Sequence, residues 1–269
     1  MPTNKRERQR ENRAKKREEQ RKLERQRKLR KRAIRYTVIA AVVAGILALS
    51  AVLGNPDTTT TTTTPTLPLN YEDYRAQPTA CGAEAPPPVT EMTFTTAEDQ
   101  GIATEATVTA TITTSCGDIV AQLEPSVAPE TVNSFVFLAR EGYFDGSVLH
   151  RIVPGFAIQG GDPTAVGNGG PGYLVADEFP EAGFTYGRGV LAMANGGVNS
   201  TGSQFFIVTG EDAGLQNAYS VFGNAIGSDD TLDRITSVSL TGRDGTEDSE
   251  QSLPLETVYI ESVTIEISE

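Results

Sequence analysis

Apolar residues alternating with threonines at a period of two restrict the fold of this chain more than any other feature. Val108, Ala110 and Ile112 interleave with threonines, a turn is expected at Gly117-Asp118, and the pattern resumes at Ile119, Ala121 and Leu123. Successive strand side chains point to opposite faces, so each run offers one apolar face and the two pair as a hairpin. The chain ends in a similar run, with Val258 and Ile260 followed by Val263, Ile265 and Ile267. One segment changes period: after Pro129, the residues Val132, Phe135, Val136 and Ala139 share a helical face until Gly142 stops it. A second short helix is expected at 229–236. Many strands, two helices and no βαβ alternation predict a mainly β domain over 89–269. Its architecture is a closed or nearly closed antiparallel barrel with helical caps.

Charge separates this domain from what precedes it. Residues 1–35 hold 17 Lys and Arg against 5 Glu, a net of +12, within a chain of 23 basic and 35 acidic residues. Everything from Tyr36 onward therefore carries 6 Arg, no Lys and 30 acids, a net of −24. Between the two lies 36–54, 19 residues without a charge, and a helix needs roughly 20 to cross a membrane. This segment reads as a transmembrane helix. Its basic flank keeps the amino terminus cytoplasmic and sends the rest outward, as a single-pass protein of the cell membrane. A cleavable signal peptide is the competing reading, but such peptides have a short basic region and an apolar core of about 7–15 residues. The basic cytoplasmic tail, 1–35, lacks interleaved aromatics, so nucleic acid is not an expected partner. Residues 55–88 contain seven consecutive threonines at 58–64 and scattered prolines, and read as an extended Thr/Pro-rich tether. Cys81 and Cys116 are the only cysteines. In an exported domain they form a candidate disulfide pinning the end of the tether.

Several chemistries find no support. The one histidine is His150, and neither GxSxG nor HExxH occurs, which gives a hydrolase triad or a zinc site little support. The cysteines have no CxxC spacing. Residues 167–172, GNGGPG, match a dinucleotide fingerprint in letters only, because Pro171 and Tyr173-Leu174-Val175 follow where a helix should begin.

Two segments carry the functional reading: HRIVPGFAIQGGD at 150–162 and MANGGVNSTGSQFFI at 193–207. In the first, Pro154-Gly155 turns the chain between Arg151 and the pair Phe156 and Gln159. In the second, Gln204 and Phe206 are two apart and point the same way on a strand. Polar and planar apolar groups on one face suit an apolar ring attached to a peptide. Together the segments resemble the cyclophilin family of peptidyl-prolyl cis-trans isomerases, a resemblance that covers about 106–267. It includes PETVNSFVFLAREGYFDG at 129–146 and YSVFG at 219–223.

The resemblance implies an eight-stranded closed antiparallel barrel capped by two helices, and isomerase activity on X–Pro bonds. It makes Arg151 the catalytic arginine and places Phe156, Phe206 and Leu215 in the proline pocket, with Gln159, Gln204 and the Ala194-Asn195 backbone holding the peptide. Tyr219 stands where many members have histidine, a replacement that looks bacterial. Ala157 stands for the usual methionine, which predicts a wider pocket, and Gly214 stands for a common tryptophan, which puts cyclosporin binding in doubt. Gly196 and Val198 also depart from the family's loop. His150 reads as a satisfied barrel residue. No metal or organic cofactor is expected, the partners are proline-containing polypeptides and the membrane, and the protein is expected to be a monomer that assists folding outside the cytoplasm. The alternative is a proline-binding or chaperone module without turnover.

Overall fold

The threonine-rich alternation folds as β1 (Thr107–Thr114) and β2 (Gly117–Leu123), with Ile112 opposite Ile119 and every aliphatic residue of the two runs buried except Val120. The turn falls at Ser115-Cys116, two residues before the expected position, because Thr114 and Gly117 are partners in the ladder. Two local causes fix it. The Thr114 hydroxyl donates to the Gly117 carbonyl at 2.6 Å and accepts from the Cys116 N–H at 3.1 Å. Gly117 adopts φ +116°, which a side chain would oppose.

The computed structural model describes residues 70–243, 246 and 249–268. The expected span at 36–54, the basic tail and the start of the tether lie outside these residues. Among the described residues, no helix is long and apolar enough to cross a membrane.

Six more strands complete the main sheet: β3 (Arg151–Val153), β4 (Ala157–Gly160), β5 (Val190–Met193), β6 (Phe205–Val208), β7 (Val221–Ala225) and β10 (Ile260–Ser268). A separate hairpin pairs β8 (Leu240–Gly242) with β9 (Gln251–Pro254). The main sheet is antiparallel, in the order β10-β1-β2-β7-β5-β6-β4-β3. It is therefore a half-barrel, and the expected closed barrel is corrected: no ladder joins β3 to β10. Among the described residues, the seam holds a bridge between Val148 and Tyr259 and a few bonds such as Leu149 N–H to the Val258 carbonyl at 2.9 Å. β3 ladders with β4 along all three of its residues, and β9 packs against that strand.

Helix α2 (Pro129–Arg140) begins at the proline and ends beside Gly142, at φ +70°. The Glu178 carboxylate accepts the otherwise orphaned N–H groups of Glu130 and Thr131 at 3.1 and 2.8 Å. Phe135 packs against Phe144, Phe205 and Phe222 at 5.1 to 5.6 Å between ring centres, which joins the helix to the core under the sheet. The short helix α3 (Asp229–Thr236) buries Leu232 and Ile235.

The end of the tether is not extended. A one-turn helix, α1 (Tyr71–Arg75), is capped by the Asn70 side chain and buries Tyr71 and Tyr74. The Tyr71 hydroxyl donates to the Gly146 carbonyl at 2.8 Å, and the Tyr74 hydroxyl to the His150 carbonyl at 3.0 Å. Cys81 and Cys116 form a disulfide that joins this segment to the β1–β2 turn, 35 residues away in sequence.

Candidate active site

Strand register assembles the site. Arg151 on β3 is opposite Gln159 on β4, Gln159 is opposite Phe206 on β6, and Phe206 is opposite Ala192 on β5. Residues directly opposite share a face with their β-carbons about 4.5–5.5 Å apart. The arginine, the glutamine and the phenylalanine thus form one row across three strands. A slip of one residue would turn the row to the other face.

The loops around this row supply the rest. Arg151, Phe156, Gln159, Ala194, Asn195, Phe206, Leu215 and Tyr219 line a single cleft of 150 Å³. Gln204 does not line it, but its side-chain carbonyl accepts from Gln159 Nε2 at 3.1 Å and its own Nε2 donates to the Gly169 carbonyl at 3.0 Å. Ala194 N–H donates to the Gln204 carbonyl at 2.9 Å, and Asn195 Nδ2 donates to the Ala218 carbonyl at 2.8 Å. A second cleft of 590 Å³ shares Gln159, Ala194 and Asn195 and runs along 167–174, the GNGGPG loop and its successors.

Aromatic packing backs the cleft. Phe206 is 6% exposed and meets Tyr219 edge to face, with ring centres 5.4 Å apart. Behind them, the Tyr186 hydroxyl donates to the Tyr219 carbonyl at 2.9 Å, and burial pushes that phenol above its usual range. Ala157, expected to widen the pocket, is buried beneath it with Tyr186 and Phe206 and does not line it. A side chain at Gly214 would point into open space, which leaves that rim low.

Arg151 is held from two sides. Its guanidinium carbon stands 5.4 Å from the centre of the Phe156 ring, a cation–π distance. Its Nε and Nη2 donate to the two carboxylate oxygens of Glu250 at 2.9 and 2.8 Å. That pair holds the Glu250 carboxyl below the usual range, chiefly through the hydrogen bonds from Arg151. Glu250 was not legible in the sequence: it lies 99 residues from Arg151 among many other acids.

His150 is buried, as expected, and among the described residues its Nδ1 has no partner within hydrogen-bond distance and angle. Burial pushes its pKa down from 6.5 to about 4, partly opposed by Asp162, so at neutral pH it is an uncharged imidazole. It lines a cavity of 260 Å³ that Arg151 also borders, together with Tyr74, Arg243 and Ser252.

An arginine beside a small aromatic-lined cleft, on an antiparallel half-barrel, is the arrangement the comparisons with known proteins address. The chain belongs to the family described as cyclophilin type peptidyl-prolyl cis-trans isomerase/CLD, whose sequence pattern matches residues 109–265. It is 42% identical over 176 residues to peptidyl-prolyl cis-trans isomerase A of Mycobacterium tuberculosis, covering 60% of this chain and 93% of that one. Peptidyl-prolyl cis-trans isomerase B of Streptomyces anulatus is 41% identical over 175 residues, covering 58% and 95%. The crystal structure of a Cryptosporidium parvum cyclophilin type isomerase matches with a TM-score of 0.53 and 30% identity, over 61% of this chain and 99% of that one. The same Cryptosporidium enzyme, in the presence of the dipeptide Ala-Pro, matches with a TM-score of 0.52 and 31% identity. The protein is accordingly a peptidyl-prolyl cis-trans isomerase.

Proposed function

We propose that this isomerase is a membrane-anchored bacterial protein that acts as a monomer on proline-containing polypeptides outside the cytoplasm and assists their folding, with Arg151 as its catalytic residue. The observation that carries the catalytic part is the convergence of Arg151, Phe156, Gln159, Phe206, Leu215 and Tyr219 on one cleft. The basic tail followed by an uncharged run supports the placement, and so does the disulfide, which persists in oxidising compartments.

The chemistry follows from the bond. An X–Pro amide resists rotation because the nitrogen lone pair is delocalised into the carbonyl, with a barrier of about 18–20 kcal/mol. Phe206 and Leu215 hold the proline ring while the acyl side turns. Arg151 holds the proline carbonyl and donates toward the prolyl nitrogen as its lone pair localises, a contact stronger in the twisted state than in either planar one. Among the described residues, Glu250 takes Nε and Nη2 and leaves the Nη1 donors for substrate. A thousandfold acceleration requires only about 4 kcal/mol, within reach of one or two such contacts.

A protease-coupled assay with an Ala-Pro peptide tests the activity and its residue: wild type accelerates the slow phase and Arg151→Ala does not. An equal rate from the two would remove Arg151 from the mechanism. Fractionation tests the placement, with full-length chain expected in membranes and accessible to protease added outside. Recovery only in the cytosol would refute it.

A further inference from the structure

β3 is the last strand of the main sheet, so among the described residues Arg151 sits at an edge with no ladder partner beyond it. The separate β8–β9 hairpin packs there, and Glu250, the residue before β9, delivers its carboxylate to one side of the guanidinium. The opposite restraint is the Phe156 ring. The two together fix a side chain that is 21% exposed and would otherwise populate many rotamers. The two-point fork matters, because a carboxylate on both Nε and Nη2 sets the plane of the guanidinium and not only its position.

We infer that Glu250 is a positioning residue for catalysis, orienting the Arg151 guanidinium so that its remaining donors meet the prolyl nitrogen. This rests on Arg151 being the catalytic residue. The carboxylate also draws positive potential away from the cleft, which alone would slow the reaction. Pre-orientation outweighs that loss because rate depends steeply on the alignment of the reacting groups. The pair is partly open to water, so added salt weakens it.

A double-mutant cycle on the full chain tests this, with kcat and KM read on one X–Pro peptide. Glu250→Ala lowers kcat/KM by about tenfold, equivalent to about 1.4 kcal/mol, with the loss in kcat and KM little changed. Glu250→Gln, which keeps one acceptor, falls between Ala and wild type. In an Arg151→Ala background, Glu250→Ala has no further effect. Sodium chloride drives wild-type activity toward the Glu250→Ala value and leaves that variant unchanged. Matching near-UV circular dichroism establishes that each variant is folded.

Glu250→Ala activity equal to or above wild type would overturn the inference, as would an undiminished loss in the Arg151→Ala background. If Arg151→Ala alone is as active as wild type, the catalytic reading itself fails. If Arg151→Ala is inactive while Glu250→Ala is unaffected, only the positioning role fails.

Discussion

Breaking the Cys81–Cys116 disulfide should destabilise the domain by an amount set mainly by chain entropy. The bond closes a loop across a sequence separation of 35. A loop of that size removes about 13 cal/mol/K from the unfolded chain, or about 4 kcal/mol at room temperature. For a domain of roughly 200 residues, each kcal/mol moves the melting temperature by about 2–4 °C, so reduction should lower it by roughly 8–15 °C. The same bond tethers the segment whose Tyr74 hydroxyl holds the His150 carbonyl beside Arg151. Loss should therefore open 70–88 first. Calorimetry with and without reductant, alongside the Cys81→Ala, Cys116→Ala double variant, measures the shift. Hydrogen exchange of Ala80 N–H, bonded to the Thr257 carbonyl at 2.9 Å, reports local opening. Melting temperatures within about 3 °C of each other would refute the loop-entropy reasoning.

Other expectations follow from the site and core. His150 has a folded-state pKa pushed down to about 4 against 6.5 when free, so the unfolded chain takes up the proton first. Its contribution is complete above about 6.5 and is lost as pH falls toward 4, by on the order of a few kcal/mol. Urea unfolding should show that slope between about pH 5 and 6.5, above the ordinary carboxylate range, and His150→Gln should flatten it; a wild-type midpoint constant over the window would contradict the assignment. Phe206→Ala removes a ring 6% exposed that both lines the cleft and packs on Tyr219. It should cost about 3–5 kcal/mol of stability by denaturant titration and raise KM for X–Pro peptides, whereas a stable variant with unchanged KM would place the proline elsewhere.

Much of the sheet was legible because period-two patterning is a local signal. Val108 to Ile112, Ile119 to Leu123 and Val263 to Ile265 lie in the strands the alternation indicated. What failed was set by contacts outside the pattern. The Thr114 hydroxyl, and not Gly117-Asp118 alone, chose the turn. The open side of the sheet lies where β9 packs on β3, a contact that no periodicity in three residues reveals. The end of the tether was hidden by its own composition: prolines and threonines outnumber Tyr71 and Tyr74, yet those two rings pack with Val148 and Tyr259. The site residues were grouped by motif resemblance, and the register row through Arg151, Gln159 and Phe206 gives that grouping a geometric cause. Glu250 had no such signal, since it reaches Arg151 only through the folded hairpin.

The central claim, that Arg151 in this cleft catalyses prolyl rotation, is tested most directly by exchange NMR on an Ala-Pro peptide with the full-length protein. Wild type should speed cis–trans exchange by at least about a thousandfold over the uncatalysed rate, and folded Arg151→Ala should lose most of that gain while still binding the peptide. Equal exchange rates for wild type and Arg151→Ala would contradict the account.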